Sequence, residues 1–131
     1  MPIGNAARLL IADDDLNLLD AYVLFFNEHG YQTRTAGDGV EALAQYCAWW
    51  PDAVILDIQM PRMNGRAVAR EIRRVQPAHC PLLVAVTSLS SLSEQAESSQ
   101  SGFDYHLVKP VALPILLATI TSSRAWRASD A

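Results

Sequence analysis

The sequence predicts an α/β domain built on a parallel sheet with helices on both faces. Three observations predict it. Five short apolar runs occur along the 131 residues, and each is followed by a stretch in which apolar residues recur at helical spacing. Most of the runs are continuously apolar rather than alternating, as strands covered on both faces are. Four of the five end on a polar, chemistry-bearing residue, and in open α/β sheets the ligand crevice lies at the carboxyl ends of the strands.

The elements follow in order. Arg8 to Ala12 is a strand that stops abruptly at Asp13-Asp14-Asp15. Asp15 can cap a helix, whose face is marked by Leu16, Leu19, Val23 and Phe26 and widened by Leu18, Tyr22 and Phe25. Gly30 ends it in the usual position after the cap. Tyr31 to Thr35 alternates as a second strand, and Gly37-Asp38-Gly39 reads as a turn. Val40, Leu43, Ala44 and Cys47 predict one face of a second helix, closed near Trp49-Trp50-Pro51, with the tryptophans capping its end against the sheet.

Ala53 to Leu56 is the third strand and ends at Asp57; Met60 to Gly65 is loop chemistry. Val68, Ile72 and Val75 place a third helix, finished before Pro77, and the arginines from Arg62 to Arg74 read as its solvated face. Leu82 to Val86 is the fourth strand, ending in Thr87-Ser88. The serine-rich stretch from Ser90 to Ser101 resembles a linker, but Leu89, Leu92 and Ala96 keep a thin helical face and predict a weak fourth helix. Phe103 to Val108 contains the fifth strand and runs into Lys109-Pro110. Leu113, Leu116, Leu117 and Ile120 form the clearest stripe, on a last helix extending toward Trp126.

Composition bounds the function. A mass of 14.4 kDa suits one domain, expected over residues 1–131 with its core at about 8–124. Ten basic against fourteen acidic residues leave a net charge of −4, which predicts no direct binding to nucleic acid. No apolar run reaches the roughly 18–20 residues that span a bilayer. The N-terminus lacks a signal-peptide pattern, and the two cysteines, Cys47 and Cys80, have no metal spacing. A cytoplasmic protein with reduced thiols and no membrane contact is expected.

The strand ends carry the chemistry. Asp13 and Asp14 follow the first strand, Asp57 the third, Thr87 the fourth and Lys109 the fifth; the second, predicted at an edge, contributes nothing comparable. Three clustered carboxylates repel unless a cation joins them, and a hard divalent ion such as Mg²⁺ suits oxygen ligands. A carboxylate can also carry a phosphoryl group. Phosphoryl transfer then needs charge stabilisation, which the Lys109 ammonium and the Thr87 hydroxyl can supply. Asp57 stands alone on its strand and is the natural nucleophile, with Asp13 and Asp14 the metal pair. Any one of these residues alone would pass as a cap or a solvated side chain; the repetition at equivalent places on four strands is what points to a site.

The motifs Leu10-Ile11-Ala12-Asp13-Asp14-Asp15, Ala36 to Leu43, Leu56-Asp57-Ile58-Gln59-Met60-Pro61-Arg62-Met63-Asn64-Gly65, Val86-Thr87-Ser88 and Leu107-Val108-Lys109-Pro110 resemble, in that order and spacing, the receiver domain of bacterial two-component response regulators. The resemblance runs from Arg8 to about Arg124. It implies a flavodoxin-like (βα)₅ fold with strand order 2-1-3-4-5. It also implies Asp57 as phosphoacceptor and Mg²⁺ or Mn²⁺ held by Asp13, Asp14, Asp57 and the backbone carbonyl of Gln59. Thr87 and Lys109 would be the catalytic partners, and Pro110 would follow a cis bond. The implied donor is a phosphohistidine on a histidine kinase or histidine phosphotransfer protein, and slow self-catalysed hydrolysis would follow. Output would pass to a downstream protein or to a parent hybrid kinase, with the chain either free-standing or part of such a kinase.

Two positions depart from the resemblance. Where the family has Tyr or Phe as a switch coupled to the hydroxyl residue, this chain has His106, with Tyr105 on the opposite face; His106 reads either as that switch or as a half-buried residue on the sheet's flank. The fourth helix carries only Glu94 and Glu97, and the start of the fifth is uncharged, so the charge-paired dimer through the fourth helix, fifth strand and fifth helix is not expected. His29 and His79 read as surface residues. Two other functions stand beside the leading one. A degenerate receiver could act as a phosphorylation-independent adaptor. An aspartate-nucleophile phosphatase needs a second Asp two residues after the nucleophile, where this chain has Gln59.

Overall fold

The computed structural model describes residues 7–75 and 80–130, with side chains up to residue 123. Five strands alternate with five helices: β1 (Arg8–Ala12), α1 (Leu16–Glu28), β2 (Gln32–Ala36), α2 (Gly39–Trp49), β3 (Ala53–Leu56), α3 (Gly65–Val75), β4 (Leu82–Thr87), α4 (Leu92–Ser101), β5 (Tyr105–Val108) and α5 (Leu113–Asp130). The sheet order is β2-β1-β3-β4-β5 with every neighbouring pair parallel, as the resemblance implies. His79 lies outside the described residues.

Strand residues alternate between two apolar layers. Leu10, Val54, Leu56 and Leu83 face α2 and α3, where Tyr46, Val68 and Ile72 meet them. Leu9, Ile11, Ile55 and Val84 face α1 and α5 and pack on Phe26, Leu116 and Ile120. Local chemistry ends the helices as expected. The Asp15 carboxylate accepts from the Asn17 and Leu18 amides at 3.1 and 3.2 Å, and Gly30 leaves α1 at φ 90°. Asp38, assigned to a turn from sequence, instead caps α2 by accepting from the Glu41 amide at 2.8 Å.

Three faces differ from the sequence expectation. On α2, Val40, Ala44 and Cys47 point to solvent, and Gly39, Ala42 and Tyr46 point inward. The reason is Tyr46, one of the largest fully buried side chains, which sets the helix's rotation. On α4, Leu92 is 83% exposed and Ala96 is exposed, whereas Ser98 and Ser101 are buried. The arginines of α3 are not simply solvated: Arg66 is 12% exposed and pairs with Glu94 and Glu97 of α4. At the end of α2, Trp49 packs on the core with Arg34 stacked on its ring at 4.8 Å, but Trp50 turns out to solvent in a left-handed conformation. Cys47 and Cys80 are exposed, with Arg73 donating to Cys80 Sγ at 3.7 Å, and the exposed His29 bonds to its own helix through the Phe25 carbonyl.

Burial pushes the phenols of Tyr22 and Tyr46 above their ordinary value. The unfolded chain therefore gives up these protons first as the pH rises. Their contribution to stability is complete below about pH 10 and is lost above it. In an alkaline titration, two of the four tyrosines are expected to ionise only together with the loss of the folded circular-dichroism signal. Phenolate absorbance showing four independent titrations in a folded protein would contradict this.

Candidate functional site

Strand register brings the polar ends together. Ala12 pairs with Leu56, so Asp13 and Asp57 leave adjacent strands side by side, and the Asp57 amide donates to the Ala12 carbonyl at 3.0 Å. Thr87 ends β4, paired with Val108 of β5, and the Lys109 amide donates to the Thr87 carbonyl at 2.8 Å. The Lys109–Pro110 bond is cis, as the resemblance implied.

Asp13 and Asp57 are nearly buried, at 4% and 6% exposed, while Asp14 is exposed at the rim. Carboxylate oxygens of Asp13, Asp14 and Asp57 lie within 4.8 Å of one another. Lys109 Nζ donates to Asp13 Oδ2 at 2.8 Å and to Asp57 Oδ2 at 3.0 Å. Two backbone amides hold the carboxylates from the other side: the Asp15 amide donates to Asp13 Oδ1 and the Gln59 amide to Asp57 Oδ1. Burial works to lower the Lys109 pKa, but the hydrogen bonds to Asp13 and Asp57 and their charges outweigh it, and the net direction is upward. The charges of Lys109, Asp13 and Asp57 also reach the buried Tyr22 phenol.

The donor set fits a hard divalent cation. All three groups are oxygen ligands, and three carboxylates against one ammonium leave two negative charges for a 2+ ion to neutralise. One carboxylate is open to solvent, so water or a phosphoryl oxygen can complete the shell.

The five residues expected from sequence are thus gathered at one rim. Thr87, at the carboxyl end of β4, is fully buried, and the Leu89 amide donates to its hydroxyl at 3.4 Å. One neighbour, Ser88, carried no role in the sequence reading, and a second, His106, is the residue at the expected switch position. The Ser88 hydroxyl donates to Gln59 Oε1 at 2.9 Å, which ties the segments following β3 and β4 across the site. His106 is half-buried and turned away from the carboxylates toward α4, with Nδ1 2.8 Å from Ser98 Oγ. Its Nε2 is 2.6 Å from the Leu89 carbonyl; a carbonyl only accepts, so this nitrogen carries the proton. Nothing in local sequence signals either contact, since the partners are 29 and 8 residues away.

A doubly wound parallel sheet with clustered carboxylates, a lysine and a buried hydroxyl at its carboxyl rim defines a receiver-type signalling domain. The chain belongs to the response regulator receiver domain family, whose model matches residues 9–121. It is 38% identical over 113 residues to the response regulator MprA of Mycobacterium bovis, covering 86% of this chain and 48% of that protein. It is 39% identical over 113 residues to MprA of Mycobacterium leprae, covering 86% and 49%. The chain therefore spans about half the length of the curated relatives it matches. Among solved structures, a CheY-like receiver domain from Methanospirillum hungatei is similar with a TM-score of 0.90 and 26% identity, covering 97% of this chain and all of that one. CheY in the CheX-CheY-BeF₃-Mg complex from Borrelia burgdorferi is similar with a TM-score of 0.82 and 25% identity, covering 89% and 88%. No helix among the described residues is long and apolar enough to cross a membrane.

Proposed function

We propose that the chain accepts a phosphoryl group on Asp57 from a phosphohistidine of a histidine kinase or histidine phosphotransfer protein. The observation that carries this is the pairing of the buried Asp57 carboxylate with Lys109 Nζ beside Asp13 and Asp14. An Asp57 carboxylate oxygen forms the new bond to phosphorus as the phosphorus–nitrogen bond of the donor breaks, and the electron pair leaves with the imidazole. Lys109 then faces the transferred group and offsets its charge, and the Thr87 hydroxyl donates to a phosphoryl oxygen. Asp13, Asp14, Asp57 and the Gln59 carbonyl would hold Mg²⁺ or Mn²⁺, which would supply charge neutralisation to the transferred group. Slow hydrolysis by the same residues returns the domain to its resting state. A beryllium fluoride and magnesium complex of the Borrelia relative accords with this metal requirement.

His106 couples the site to the outer surface through the Leu89 carbonyl, two residues beyond Thr87. Output passes to a downstream protein or a parent hybrid kinase in the cytoplasm, without direct contact to nucleic acid or membrane by this domain. A charge-paired dimer through α4, β5 and α5 is not expected, because Glu94 and Glu97 are already engaged by Arg66 of the same chain. The adaptor reading is disfavoured by the convergence of all five site residues. The phosphatase reading lacks a second acid at Gln59, whose amide oxygen is taken by Ser88.

Incubation with acetyl phosphate and Mg²⁺ is expected to give a single phosphate adduct by intact mass, and none with EDTA. Beryllium fluoride is expected to bind only when a divalent metal is present. A protein that takes up no phosphate under either condition would favour the adaptor.

A further inference from the structure

We infer that α4 is a polar strap, held on the domain by Arg66 and His106, that opens as a unit while the rest of the domain stays folded. Each of the other four helices buries two or more apolar side chains. α4 buries only Ser98 and Ser101. Its one large apolar residue, Leu92, is 83% exposed. What fastens it is polar. Arg66 donates to the Glu94 carboxylate at 2.8 Å, the Glu94 carbonyl at 2.9 Å and the Glu97 carboxylate at 3.1 Å. One turn on, Arg70 donates to Ser101 Oγ at 3.1 Å, and Arg73 holds the Gly102 carbonyl at the helix's end. His106 joins Ser98, in the second half of the helix, to the Leu89 carbonyl that precedes it.

Such contacts exchange water partners for protein partners and return little net stability, unlike apolar burial. The closed interface is also incompletely satisfied: Arg66 Nε is buried with no hydrogen-bond acceptor among the described residues. When the strap opens, Arg66, Glu94, Glu97 and His106 all regain water, and no large apolar surface of α4 is exposed. A helix of ten residues is marginal on its own in water. Opening therefore unwinds α4, between the 87–90 segment and Gly102. This follows from packing alone and holds whether or not Asp57 accepts a phosphoryl group.

Native-state hydrogen exchange on the full chain, without phosphodonor, tests it. In the unmodified protein, amides of 95–101 are expected to exchange at least about tenfold faster than those of β1, β3 and β4. Arg66→Met is expected to speed the α4 amides by a further factor of about ten while the sheet amides change less than about twofold. The double variant Glu94→Gln/Glu97→Gln touches only α4 side chains outside the apolar core, and it is expected to act in the same direction should Arg66→Met fold poorly. Exchange of α4 at the rate of the sheet, through global unfolding only, would overturn the inference. So would unchanged α4 rates in the folded variants.

Discussion

Asp57→Asn is expected to remove the phosphate adduct completely under conditions that phosphorylate the unmodified protein. The asparagine keeps the shape of the side chain, so the amide bond from Gln59 can persist and the fold is retained. What disappears is the anionic oxygen that attacks phosphorus and one of three carboxylates within 4.8 Å. Of its two paired carboxylates Lys109 then keeps Asp13, and the cluster's net charge rises by one unit. Two measurements read these consequences. Intact mass should show no adduct, and Mg²⁺ titration by calorimetry should show weaker binding, since affinity for a hard cation follows the count of charged ligands. Thermal stability in EDTA should not fall, because removing one of three crowded negative charges relieves repulsion. An adduct that persists in Asp57→Asn would move the phosphoacceptor elsewhere and defeat the reading of the site.

Gly65→Ala is the second large effect. Gly65 opens α3 where the chain turns back beneath β3. A β-carbon there would strike the backbone carbonyl of Asp57 and sit 2.9 Å from Ile58 Cα. These are backbone atoms of Asp57 and of the residue after it, so the strain cannot be absorbed by a flexible side chain. A loss of about 2–3 kcal/mol in urea unfolding is expected, the usual cost of overpacking. Because Asp57 must move, the rate of phosphorylation by acetyl phosphate should fall by about tenfold or more. Gly37→Ala is the control: its nearest neighbour would be Glu41 Oε1 at 3.7 Å, and stability should stay within about 0.5 kcal/mol. Equal stability of the two variants would show that the 57–65 contact yields more readily than its geometry indicates.

Much of the site was legible because the signal is local. An apolar run that stops at a polar residue marks both a strand end and a rim position, and Asp13, Asp14, Asp57, Thr87 and Lys109 all announced themselves in that way. The caps Asp15 and Gly30 were equally readable, since each acts on amides or dihedrals a few residues away. Legibility failed where a residue's environment is set by distant chain. Val40, Ala44 and Cys47 share a helical spacing as good as that of the buried set, and only the fit of Tyr46 into the layer over β1 and β3 chose between them. The buried serines of α4 gave no apolar signal, because Ser101 is met by Arg70, 31 residues earlier, and Ser98 by His106 on β5.

By itself, then, the sequence determined the succession of elements, the layering of helices on both faces and the identity of the five rim residues. Strand burial, capping and turn chemistry act over a few residues and leave their pattern in the chain. The tertiary structure alone decided which side of α2 and α4 faces inward. It also decided that Arg66 is a partly buried clasp rather than a solvated charge, and that Lys109 bridges Asp13 and Asp57 across 96 and 52 residues of chain. Those outcomes depend on which surfaces are left uncovered when the sheet closes, and on which charges must pair once water is excluded. Neither condition exists until the strands have assembled in their order.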